Sequence, residues 1–137
     1  IDMRYADRSA MQGTFNQVSR GFGNFFEDWD ILLPPISTMT THKIGTSDFS
    51  TLNSKDTPLD WFDKLWGLYA YTPLGNLAGI PGLAVPIGVA ASGLPIGAQL
   101  LGRALDEASL LKAGVVLEAA LGGTQRPPGR FGAGGAA

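Results

Sequence analysis

The chain has 137 residues, a net charge of −2 and no cysteine, which bounds it to one ordinary domain without disulfides, thiolate nucleophiles or cysteine-held zinc. Ten basic residues scattered among twelve acidic ones leave no electrostatic footprint for nucleic acid or an anionic membrane. Nineteen glycines and nine prolines imply turns and close backbone approach instead.

The opening residues, IDMRYADRSAMQ, have neither the basic n-region nor the apolar h-region of a signal peptide. They read as the middle of a longer sequence, and a cytoplasmic setting is expected. From about Arg4 to Asp28, Met11, Phe15, Val18, Phe22, Phe25, Phe26 and Trp29 recur at spacings that mark one helix face. Gly13, Gly21 and Gly23 weaken that helix and allow a bend. Packing in a core explains the aromatic stripe better than a ligand platform does.

Ile31-Leu32-Leu33 reads as a short buried strand stopped by Pro34-Pro35, since proline donates no ladder hydrogen bond. Residues 36–55 are rich in Ser and Thr and hold the only histidine, His42. Without periodicity, they read as a surface or lid-like loop with His42 as a surface side chain. A helix should start with Thr57 as N-cap, Pro58 in the first helical position and Asp60 near the positive helix end. Its apolar face is Trp61, Phe62, Leu65, Trp66 and Tyr69, and Thr72-Pro73 ends it.

Leu65 to Leu101 carries no Asp, Glu, Lys or Arg. After a Gly-rich loop from Gly75 to Gly82, Leu83–Gly88 and Pro95–Leu101 read as two strands joined by a short connection. Pro86 argues for an edge position or a bulge. Asp106-Glu107 opens a last helix with Ala108, Leu111, Val115 and Ala119 on one face, widened by Leu110, Leu117 and Leu121, and Gly122-Gly123 stops it. The tail from Thr124 has too little apolar area to fold alone. Helix, strand, helix, two strands and helix belong to a mixed α/β arrangement. Three short strands make a thin sheet for a free-standing domain.

Candidate chemistry in the residues themselves is sparse. The Gly75–Gly82 loop lacks both the Rossmann glycine spacing and the lysine of a P-loop, and prolines 73, 81, 86 and 95 break the uncharged run too often for a membrane helix. Ser109-Leu110-Leu111-Lys112 matches S-x-x-K but lies on an amphipathic helix without companion motifs, so it reads as ordinary helix surface. His42 has no partner histidine or cysteine for a metal. No cofactor is implied.

The run Asn76-Leu77-Ala78-Gly79-Ile80-Pro81-Gly82-Leu83-Ala84-Val85-Pro86, followed by Gly93-Leu94-Pro95-Ile96-Gly97-Ala98-Gln99-Leu100-Leu101-Gly102, resembles the C-terminal part of amidase signature enzymes. Phe25 to Pro35 is similar to that family's helix and strand ending in Leu-x-Pro, and Asp106 to Leu111 to its last helix. The resemblance implies the C-terminal part of an α/β/α fold with a mixed sheet, covering residues 1–123, with a flexible Gly/Pro-rich tail over 124–137. It further implies cleavage of carboxamide C–N bonds through a serine acyl-enzyme, using a serine, a bridging serine in a cis peptide and a lysine base.

None of those catalytic residues matches this chain, so no catalytic residue is expected here. The expected partners are a small-molecule amide and the amino-terminal half of the same enzyme, without nucleic acid or membrane; a homo-oligomer stays open. By resemblance, this portion completes the sheet and part of the substrate pocket. The pocket candidates are Trp66, Tyr69 and Tyr71 as wall residues, with Thr72 and Asn76 ordering the adjacent segment. The branch that transfers glutamine-derived ammonia to aminoacyl-tRNA typically has an acidic residue where Tyr69 stands, seven positions before Asn76. This departure favours a general amidase acting on an apolar or aromatic amide over an amidotransferase subunit. Pro34-Pro35 replaces the more usual Pro-Thr. A competing reading is a non-catalytic interaction domain that reuses the same fold piece.

Overall fold

A computed structural model describes residues 4–45 and 57–122. The elements are α1 (Tyr5–Asp28), β1 (Ile31–Leu32), α2 (Pro58–Leu68), α3 (Thr72–Ala78), β2 (Gly82–Val89), β3 (Pro95–Gly102) and α4 (Glu107–Ala120). The expected tail and residues 46–55 of the expected loop lie outside the described residues.

The two apolar runs pair as an antiparallel hairpin, from Gly82 opposite Leu101 to Val89 opposite Pro95. Gly93, at φ +81°, closes its turn by donating its N–H to the Ala90 carbonyl. β1 pairs antiparallel on the other side of β3, giving the order β1-β3-β2. Among the described residues β2 is thus an edge strand, and its register shifts between Pro86 and Gly88. Pro86 therefore sits at an edge and at a bulge, the two places where a missing N–H is tolerated.

β3 has apolar neighbours on both faces. On one face Val85, Leu100 and Leu110 form the core, with Ile31, Leu83, Ala113 and Leu117 packed around it. α4 reaches this close because its glycine faces the sheet: a Cβ on Gly114 would lie 2.6 Å from Leu83 Cδ2. On the other face Leu101, fully buried, sits under α3, where a Cβ on Gly75 would lie 3.2 Å from its Cδ2. α1 covers α3 in turn: Ser19 Oγ donates to the Ala78 carbonyl and the Arg103 guanidinium to the Phe26 carbonyl. Helices therefore cover both faces of the sheet, in the layering of an α/β fold.

Three expectations are corrected. Residues 72–78 form a helix instead of a Gly-rich loop, because Pro73 suits a first helical turn and Gly79, at φ +70°, supplies a left-handed cap donating to the Gly75 carbonyl. The buried face of α4 is Leu110, Ala113, Gly114 and Leu117, whereas Leu111 and Val115 are 59% and 67% exposed. A helix that is apolar nearly all round gives no periodic signal for which side meets the sheet. Of the aromatic stripe on α1 only Phe26 is fully buried, and Trp29 is 63% exposed, since the stripe is longer than the surface α3 offers it.

The helix starts expected at Thr57 and Asp106 are formed. Thr57 and Asp60 make a reciprocal capping box, and Asp106 accepts from the Ser109 N–H. Hydrogen bonds from Thr57 hold the Asp60 carboxyl below its ordinary range, and hydrogen bonds from Ser109 do the same for Asp106. Carboxyls lowered by folding stabilise it above their unfolded pKa of about 3.9, and that contribution disappears as pH falls through the folded value. Acid titration followed by far-UV circular dichroism is expected to show helix loss below about pH 4, with a smaller acid limb in the D60N/D106N variant. In urea, Leu110→Ala is expected to cost about 2–5 kcal/mol and Leu111→Ala less than about 0.5 kcal/mol; equal costs would refute the assigned face.

Candidate functional site

A groove of about 690 Å³ lies between the segment after β1 and the start of β3. Its floor is Ile96, Gly97 and Ala98 of β3, and its wall is residues 33–42. Prolines 34 and 35 bend the chain off β1 without ending its association with the sheet. The Pro34 carbonyl accepts from the Gln99 N–H at 3.0 Å, and Pro35 bridges to Ala98.

Beyond the prolines, hydroxyls fix the wall. The last carbonyls of a helix lack intrahelical partners, and here the wall supplies them. Ser37 Oγ donates to the Leu68 carbonyl at 2.9 Å, Thr38 Oγ1 to that of Gly67, and the Thr38 N–H to that of Leu68. Thr41 Oγ1 donates to the Pro95 carbonyl across the groove mouth. The Ser/Thr richness thus has a structural cause: these hydroxyls cap α2 and hold an irregular segment against it.

Tyr69, following α2, closes one end of the groove with its ring edge-on to His42, 6.3 Å between centroids. Both side chains are half-buried. His42 thus lines the groove instead of standing on open surface, a placement the sequence did not disclose because nothing near it shows periodicity. Thr72 orders the wall from beneath, its hydroxyl donating to the Ile36 carbonyl at 2.9 Å. Trp66 and Tyr71, 48% and 39% exposed, and Asn76, exposed on α3, do not line the groove. The structure therefore brings Tyr69 and Thr72 to one site and leaves the other three candidates away from it. Ile36 and Gly97, neither a pocket candidate by sequence, also line the groove, as does His42, which was read as a surface side chain.

The surface of the groove is mostly apolar. No Asp, Glu, Lys or Arg is among the described residues that line it. Ser109 and Lys112 are exposed on α4, and the Ser109 N–H serves the cap of that helix. Among the described residues no group of three acidic or histidine side chains is placed to hold a metal ion, and no helix is long and apolar enough to cross a membrane.

A family model described as Amidase matches residues 3–111. The A-type subunits of glutamyl-tRNA(Gln) amidotransferase from Desulforapulum autotrophicum and Lawsonia intracellularis are 41% and 39% identical over 82% and 80% of this chain. The chain spans 19% and 20% of their lengths, about a fifth of the curated relatives it matches. Among solved structures, a 6-aminohexanoate cyclic dimer hydrolase superposes with a TM-score of 0.68 at 29% identity, covering 89% of this chain and 25% of that one. The A-type subunit of the Thermotoga maritima glutamyl-tRNA(Gln) amidotransferase gives 0.61 at 27% identity, covering 81% and 22%.

The wall's hydrogen bonds make a measurable claim. Thr72→Val keeps the volume and removes the donor to Ile36, and is expected to cost about 0.5–1.5 kcal/mol and to speed amide hydrogen exchange across residues 36–42. Unchanged protection there would mean that the wall is held by other contacts.

Proposed function

The chain belongs to the amidase family, and from that premise we propose that it forms the C-terminal part of an amidase that cleaves carboxamide C–N bonds through a serine acyl-enzyme. The attacking serine, the bridging serine and the lysine base lie outside these residues, and residues 1–123 supply strands and one wall of the substrate pocket. The observation that carries this reading is the groove itself. It is a concave, mostly apolar surface of a size suited to a small molecule, built on the segment after β1 where the family resemblance expects substrate to approach. A small-molecule amide as ligand, the amino-terminal portion of the family fold as structural partner, and a cytoplasmic setting belong to the same proposal.

A second reading, a portion of an amidotransferase A-type subunit working within a complex, draws on the names of the curated relatives. Tyr69 weighs against it: this half-buried aromatic lines the groove at the position where that branch typically carries an acidic residue.

The test compares the protein expressed from its complete gene with the 137-residue chain, both offered hexanamide and benzamide. Ammonia release is expected from the complete protein and none from the chain alone. A fluorophosphonate probe that labels a serine within residues 1–137 would overturn the placement of the catalytic set.

A further inference from the structure

We propose that the groove takes an uncharged, apolar substituent of the amide substrate, and that Gly97 together with Ile36 sets its depth. This rests on the amidase reading and deepens it to a substrate class.

Charge selects against a zwitterion. A zwitterionic amino acid such as glutamine brings an ammonium and a carboxylate, each costly to desolvate without a partner. No carboxylate, ammonium or guanidinium is among the described residues that line the groove. Three of the wall's hydroxyls are already engaged. Ser37, Thr38 and Thr41 would be the obvious donors to a polar ligand, yet each donates to a backbone carbonyl, of Leu68, Gly67 and Pro95 respectively. These three hydroxyls thus hold the wall in place, and the surface left for a ligand is mostly apolar, Leu33, Ile36, Ile87, Ile96 and the proline rings, with Thr40, His42 and Tyr69 as its polar edge. A ligand group that buries apolar carbon there gains affinity roughly in proportion to the area removed from water.

Gly97 and Ile36 are in close steric contact. On the floor, a Cβ at Gly97 would lie 2.7 Å from Ile36 Cδ1 and 3.6 Å from the Val85 carbonyl oxygen. Real carbons do not approach so closely, so any larger residue at 97 must displace the end of the Ile36 side chain, and because both residues line the groove the floor changes shape. The Thr72 hydrogen bond fixes the Ile36 backbone and β-branching restricts its χ1, so the displacement falls on χ2, at the end of a side chain whose residue lines the groove. Gly97 is therefore a specificity-determining position: its lack of a side chain lets Ile36 lie flat on the floor and leaves the groove deep.

The experiment measures kcat/KM for acetamide, hexanamide, benzamide and L-glutamine on the protein expressed from its complete gene. Hexanamide is expected to exceed acetamide by at least tenfold, since each buried methylene contributes roughly a fourfold preference, and L-glutamine is expected to fall at least tenfold below hexanamide. Gly97→Ala should lower the hexanamide-to-acetamide ratio at least fivefold, mainly through KM. Ile36→Ala, which enlarges the floor without a clash, should move the preference towards longer amides such as decanamide and keeps the proposal testable where Gly97→Ala does not fold. L-glutamine as the best substrate, or a chain-length preference that neither variant changes, overturns the inference while the amidase reading stands. No turnover of any of these amides overturns both.

Discussion

Strand β3 has to be covered on both faces, and the positions of the other elements follow from that requirement. Leu100 and Leu101 are consecutive, so the strand's alternation sends one side chain to each face, and both are almost fully buried. A strand of this kind needs helices above and below it as well as a neighbour on each edge. α4 answers the first demand and α3, backed by α1, the second. The hairpin partner β2 and the short β1 supply the edges. Close approach on both faces comes from glycine, at Gly114 on α4 and at Gly75 on α3. The groove is a by-product of the same arrangement: where β3 begins, beyond the reach of α3, the segment after β1 takes over as cover and leaves a gap.

Much of this was legible in the sequence for identifiable reasons. The hairpin was readable because two apolar runs flank a turn, and the caps because Thr57 with Asp60, and Asp106, are residue types whose side chains bond the first helical N–H groups. What was not legible involved surfaces apolar on more than one side. α4 carries leucines and valines nearly all round, so its register against the sheet depended on a glycine, Gly114, whose significance appears only beside Leu83. α3 was hidden because a glycine and a proline within seven residues, with another glycine just beyond, look like a loop, although Pro73 favours a helix start and Gly75 lies close against Leu101.

At the groove the division is similar. Tyr69 and Thr72 were named through the family resemblance, which implies that the segment before Asn76 approaches substrate, and both meet at the groove. Trp66, Tyr71 and Asn76 shared that argument but point elsewhere, since neighbours in sequence around a helix end diverge in direction. His42 and Ile36 lay in an aperiodic stretch whose course is dictated by hydrogen bonds to the carbonyl end of α2. No pattern along the chain encodes such a tertiary contact. The exposed leucine and valine side chains of α4 and the exposed Trp66 belong to the same picture, of a chain that spans about a fifth of its relatives' length.

The strand order has a kinetic consequence. β2 and β3 are joined by a turn of a few residues, whereas Leu32 pairs with Leu101 and the Arg103 guanidinium reaches the Phe26 carbonyl only after some seventy residues have been brought round. Closing a long loop costs chain entropy before its contacts repay it. Chain entropy thus favours hairpin and α4 as an early, local unit and places the joining of β1 late. The groove wall hangs directly from β1, so chain entropy places the groove among the later features to form.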